Sequence, residues 1–133
     1  MRFRRITIIQ APAPRDAEVN EQLQWLGGSL GLFSLRDKDK SCFRIFITLL
    51  RSAKAKKELS SDELAAMTGL SRGTVVHHLN KLMSAGIVET YHAKYVLRVD
   101  NLEELIAKLD EDLQKTMRSL KDVAQDVDDR LGL

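Results

Sequence analysis

The sequence predicts a mainly α chain with one small β-hairpin and a long C-terminal helix. Three patterns carry this. Apolar residues between Cys42 and Ser84 recur at helical spacing, broken by serine caps and Gly69. After Gly86 the period changes to two, as in a hairpin. From Asn101 onward an apolar seam continues almost to the end of the chain. The 133 residues divide into an N-terminal arm and helix (1–40), a compact unit (41–100) and a terminal helix (101–133).

The elements follow in chain order. Residues 1–10 alternate loosely, with Phe3, Ile6, Ile8 and Ile9 among Arg2, Arg4 and Arg5, and read as a short strand or a basic arm. The run Ala11–Pro14 breaks it, because each proline lacks a donor. Residues 15–26 read as a helix stopped by Gly27-Gly28, followed by an apolar patch at Leu30, Leu32, Phe33 and Leu35. Ser41 is expected to cap a helix from Cys42 to about Ala55, apolar around much of its girth and closed by Lys54, Lys56 and Lys57. Ser60 or Ser61 begins a second helix, with Ser60-x-x-Glu63 fitting a capping box and Leu64, Ala65 and Met67 on its apolar side. Ser71 caps a third helix, 71–84, whose Val75, Leu79 and Leu82 form one buried face, and Gly86 stops it. Ile87–Tyr91 and Lys94–Val99 are the arms of the hairpin, with His92-Ala93 at its tip. Asp100 or Asn101 opens the last helix, with a box at Asn101-x-x-Glu104, and the helix extends to about Asp129.

Composition excludes several classes. With 44% apolar and 30% charged residues, a folded protein is expected rather than a disordered one. A single cysteine, Cys42, rules out a disulfide framework and a cysteine-based zinc finger. No apolar run approaches the ~18–20 residues that span a bilayer, and MRFRRITIIQ is too short in its apolar part for a signal peptide, so a cytoplasmic, nucleoid-associated location is expected. The net charge is only +2, but residues 1–100 carry 16 Lys/Arg and 10 Asp/Glu, net +6, while residues 101–133 carry 5 and 9, net −4. A basic excess in the compact unit favours phosphate through counterion release.

The spacing within SSDELAAMTGLSRGTVVHHLNKL is that of a helix-turn-helix: Ala65, Gly69 four residues on, and Val75 six further. A small residue at 65 lets the helices approach, Gly69 makes the turn, and Val75 fills the angle between them. LSRGTVVHHLNKLMSAGIVE then resembles the recognition helix and following strand of winged helix-turn-helix transcriptional regulators, closest to the ArsR-like and MarR-like branches. Leu70, Ser71, Thr74, Val75, His78, Leu79, Lys81, Leu82, Gly86 and Val88 carry the resemblance. It covers about residues 41–100 and implies a dimeric DNA-binding regulator, with the third helix in the major groove and the wing on the backbone or minor groove. Residues 1–40 match no part of it.

Helix geometry leads to the same assignment. With Val75, Leu79 and Leu82 inward, Arg72, Gly73, Val76, His77 and Asn80 face outward. Arg72 suits guanine, Asn80 adenine and Val76 a thymine methyl, while His77 suits a base edge or a phosphate. Ser71, Thr74 and Lys81 suit phosphate oxygens. His92 and Lys94, in the wing segment 91–94, are expected on the backbone or minor groove. His78 reads as a packed structural histidine. The DNA partner is double-stranded and the expected role is repression at an inverted repeat.

On the last helix, Ile106, Leu113, Leu120 and Val127 occupy one heptad position, and Leu102, Leu109, Thr116 and Val123 the other. Met117, Ala124 and Leu131 lie beside this seam. A core of about 60 residues cannot cover a seam this long, so Leu102, Ile106, Leu109, Leu113, Leu120, Val123 and Val127 are expected in a homodimer interface. The alternative is that the helix folds back on residues 15–35.

Other classes fit less well. Cys42 stands alone and the terminal helix has no histidine, so no ligand set for a sensed metal is present and no cofactor is expected. No phosphate loop, nucleophile elbow or other catalytic constellation occurs, so no enzyme is expected. Two alternatives stay open: a winged-helix protein–protein adaptor with weak DNA binding, and a regulator gated by a small molecule held near Leu30–Leu35 and the terminal helix.

Overall fold

A computed structural model describes residues 4–33 and 40–133; Arg2 and Phe3 of the N-terminal run and Leu35 of the apolar patch lie outside them. The elements are α1 (Val19–Ser29), α2 (Ser41–Lys54), α3 (Ser61–Thr68), α4 (Arg72–Ser84), β1 (Val88–Tyr91), β2 (Lys94–Leu97) and α5 (Leu102–Leu131). α2, with Ile45, Phe46 and Leu49 buried, is the centre on which α4, α3 and the hairpin converge.

Local chemistry explains the boundaries of α3 and α4. Ser60 Oγ accepts from the Glu63 amide at 3.1 Å, and Glu63 Oε1 accepts from the Ser60 amide at 3.2 Å, completing the expected capping box. The Ser60 donors hold the Glu63 carboxyl below the usual carboxylate range. Gly69 takes φ +72°, a left-handed conformation that a Cβ would disfavour. Arg44 of α2 donates to the Thr68 carbonyl, which braces this turn against the core. Leu64, Val75, Leu79 and Leu82 are all fully buried. Met67 departs from expectation: it is 60% exposed and lines a cleft beside Arg44, Ile47 and Thr48 of α2.

The hairpin pairs Val88 with Leu97 through Tyr91 with Lys94. His92 and Ala93 both have positive φ, which is the two-residue turn that matches strand twist, achieved here without glycine. Leu59 and Tyr95 exchange backbone hydrogen bonds of 2.7 and 3.2 Å, anchoring the hairpin to the segment before α3.

Two N-terminal expectations are corrected. α1 starts at Val19 and runs through Gly27-Gly28 to Ser29. The glycines do not stop the helix: Gly27 is the point where α1 crosses α2, and a Cβ there would lie 2.5 Å from Phe43 Cδ1. Of the two readings of the N-terminal run, strand or arm, residues 4–10 take the arm. They lie as an extended arm, with the Arg5 amide on the Ser84 carbonyl (2.9 Å) and the Ile9 amide on the Ser29 carbonyl (2.7 Å). Ser41 is not a cap; it is the first residue of α2, itself buried, and Lys40 precedes it in a left-handed conformation. The patch after α1 joins the core, with Leu30 and Leu32 buried and Phe33 edge-on to Phe43 at 5.2 Å.

α5 is capped by Asn101, whose side chain accepts from the Glu104 amide. Its first two turns belong to the body. Leu105, which the heptad reading passed over, is fully buried, Leu109 is buried, and Leu102 packs against the same core. Leu102 and Leu109 were expected in an intermolecular seam; both are occupied within the chain. Asp112 then ties α5 to the hairpin and the arm, receiving Arg98 Nη1 and Arg4 Nη1 at 2.5 Å each. The Arg98 hydrogen bond, aided by both positive charges, holds the Asp112 carboxyl below its ordinary range. A depressed folded-state value contributes stability above the unfolded value, and that contribution is lost as pH falls through the folded one. Asp112→Asn is therefore expected to cost about 1–2 kcal/mol at pH 7. Urea unfolding of both proteins should show the gap closing below about pH 4; an unchanged gap would contradict this role.

Candidate nucleic-acid interface

α4 carries the candidate site because its two sides are so unequal. Val75, Leu79 and Leu82 anchor one side with no exposed surface. On the other, Arg72, Gly73, His77, Asn80 and Lys81 are exposed. At about 100° per residue, the bare side centres on Gly73, His77 and Asn80. This is the polar surface that a groove-reading helix must leave uncovered.

The individual side chains differ in availability. The Arg72 side chain is 72% exposed and lies 3.5 Å from Asp62, a solvent-exposed pair too weak to hold it. Ser71 Oγ accepts from the Thr74 amide and donates to Thr74 Oγ1 at 2.9 Å. Both hydroxyls expected on phosphate are thus engaged in the helix cap, and Thr74 is half-buried. Val76 is half-buried too, on the edge of the face rather than at its centre. Lys81 reaches back to the Gly31 carbonyl at 3.1 Å. His78 is half-buried, in keeping with a structural role, and its ring meets that of His77 edge-on at 5.3 Å.

At the hairpin tip His92 and Lys94 are exposed, and His92 packs edge-on against Tyr91 at 4.2 Å. Lys94 is close enough to the start of α3 for its charge to help lower the Glu63 carboxyl. Tyr91, 58% exposed, is an unexpected aromatic at this tip. Its place in the alternating strand was legible, its exposure was not.

Gly73 is the residue that the sequence reading underused. It sits in the first turn of α4, and a Cβ there would meet nothing within 4 Å. Neither packing nor backbone conformation demands a glycine, and glycine is a poor helix former. A helix pressed against DNA would favour it for close approach. Gly73→Ala is expected to raise stability by about 0.5–1 kcal/mol while weakening duplex binding. Thermal unfolding and fluorescence anisotropy check the two halves; unchanged binding would remove Gly73 from the contact surface.

Among the described residues no three His, Cys, Asp or Glu side chains gather to hold a metal, and no helix is long and apolar enough to cross a membrane. The family model for the bacterial regulatory protein, arsR family, matches residues 48–90, from within α2 through α3 and α4 to β1. No curated protein gives a significant match. The helix–turn–helix, the two-stranded wing and this match over residues 48–90 agree on a winged helix-turn-helix similar to that of DNA-binding transcription regulators.

Proposed function

We propose that the chain acts as a homodimeric repressor on an inverted-repeat operator, with α4 in the major groove and the wing, residues 91–94, on the backbone or minor groove. The observation that carries this is the bare polar side of α4, held out from the core by Val75, Leu79 and Leu82. Arg72 and Asn80 read bases, His77 reads a base or phosphate, and Lys81, His92 and Lys94 engage the backbone. Ser71 and Thr74 cap the helix and present its N-terminus to phosphate. Val76 sits against a thymine methyl from the edge of the face. In this reading residues 41–100 are the DNA-binding unit and 101–133 the dimerisation helix, with the described residues of 1–40 packed onto the first.

The dimer rests on the free part of α5. Beyond Leu113, which is half-buried, Met117, Leu120, Val127 and Leu131 are exposed at alternating spacings of three, four and seven, with Ala124 between them. Together with Leu113 they make a regular heptad stripe, offset from Leu105 and Leu109 by about a sixth of a turn. Val123, 63% exposed, flanks the stripe, and Ile106 begins it beside Trp25 and Leu26 of α1. Pairing two such stripes about a two-fold axis covers them and sets two α4 helices for two half-sites.

Selection of bound duplexes from a random pool tests the reading. A palindromic consensus with half-sites about one turn apart is expected. Arg72→Ala should cost about 1–3 kcal/mol and relax one base position. Equal, feeble binding to every duplex would favour the adaptor. Leu120→Asp with Val127→Asp changes residues outside the body's core, so it should give a folded monomer by light scattering; a persisting dimer would move the interface elsewhere.

A further inference from the structure

Between the N-terminal arm and the C-terminal half of α4 lies a cavity of about 660 Å³, within the size range of small-molecule sites. Two tethers frame it. The Arg5 amide is fixed on the Ser84 carbonyl, and Lys81 Nζ is fixed on the Gly31 carbonyl. Gly31 turns at φ +70°, and a Cβ there would lie 2.7 Å from Thr7 Cγ2, so the turn and the arm are in close contact. Buried Leu30, Leu32 and Leu82 supply apolar wall. The charged lining is all positive: Arg4, Arg5 and Lys81, with His77 beside them. Arg4 is neutralised by Asp112, but among the described residues Arg5 and Lys81 have no carboxylate partner, and no carboxylate lines the cavity.

We propose that this cavity binds a small organic anion, a carboxylate or phosphate on an apolar body, and that its occupant competes with DNA. Arg5 and Lys81 take the anionic oxygens, with Lys81 exchanging the Gly31 carbonyl for the stronger charge-assisted partner. The apolar body rests on Leu30, Leu32 and Leu82. A DNA phosphate shares the anionic chemistry but has no apolar body to cover those leucines. Competition rests on the groove reading above: His77, Asn80 and Lys81 line the cavity and also lie on the bare side of α4.

The test is a titration of the full ¹⁵N-labelled chain with 1-naphthoate, followed by amide shifts. 1-Naphthalenemethanol serves as neutral analogue and a random-sequence duplex as the phosphate source. Saturable shifts at Arg5, Leu30, Leu32 and Lys81 with naphthoate, and not with the alcohol, are expected. Arg5→Ser and Lys81→Ala should each weaken naphthoate about tenfold with unchanged melting, and either variant suffices if the other fails to fold. Equal shifts with the alcohol, shifts mapping elsewhere, or shifts at Arg5 and Lys81 with the duplex and none with naphthoate would overturn the proposal. Saturating naphthoate should weaken binding to the selected duplex at least fivefold, and no change would overturn the competition. Failure of the DNA reading is seen separately, as equal affinity for all duplexes, and the naphthoate shifts still decide the cavity.

Discussion

The burial of Val75, Leu79 and Leu82 against α2 governs the rest of the molecule. Three side chains at spacings of four and three fix the rotation of α4 about its axis, and the left-handed turn at Gly69 fixes its angle to α3. Once both are set, Arg72, Gly73, His77 and Asn80 on the opposite side of α4 stay exposed among the described residues. Each fully buried aliphatic side chain contributes roughly 1.5–3 kcal/mol, so rolling the helix to hide its polar side would forfeit far more than any surface contact could return. The surface proposed to face DNA is thus a consequence of core packing.

The remaining elements hold that arrangement in place. Arg44 steadies the turn from α2, Leu59 and Tyr95 join the hairpin to the start of α3, and Asp112 gathers Arg98 and Arg4 so that wing, arm and α5 meet at one carboxylate. The arm also closes the C-terminal end of α4, where the Arg5 amide meets an otherwise orphaned carbonyl. α5 has two uses along its length. Leu102, Leu105 and Leu109 complete the core, and the stripe from Leu113 onward, largely exposed, is the surface proposed for a second molecule.

Much of this was legible in the residues. Caps at Ser60, Ser71 and Asn101, the turn at Gly69 and the buried face of α4 are local signals, decided within a few residues of chain, and they stand where spacing placed them. What escaped was decided by distant partners. Gly27-Gly28 looks like a stop until the Phe43 ring is placed against it. Ser41 looks like a cap because its hydroxyl precedes an apolar run, yet burial takes it into the helix. A heptad reports that α5 is apolar on one side but not whose surface covers it, so Leu102 and Leu109 were given to a partner and Leu105 was missed. Of the proposed groove face, Arg72, His77, Asn80 and Lys81 are exposed as expected. Val76 and Thr74 are half-buried because the buried arc of α4 is wider than its three anchors suggest.

The most direct measurement of the central claim is guanine-N7 methylation interference on a duplex that the protein selects. If the bare side of α4 enters the major groove, methyl groups there should block binding in two patches about one helical turn apart. Interference confined to minor-groove adenines, or none at all, would contradict the account.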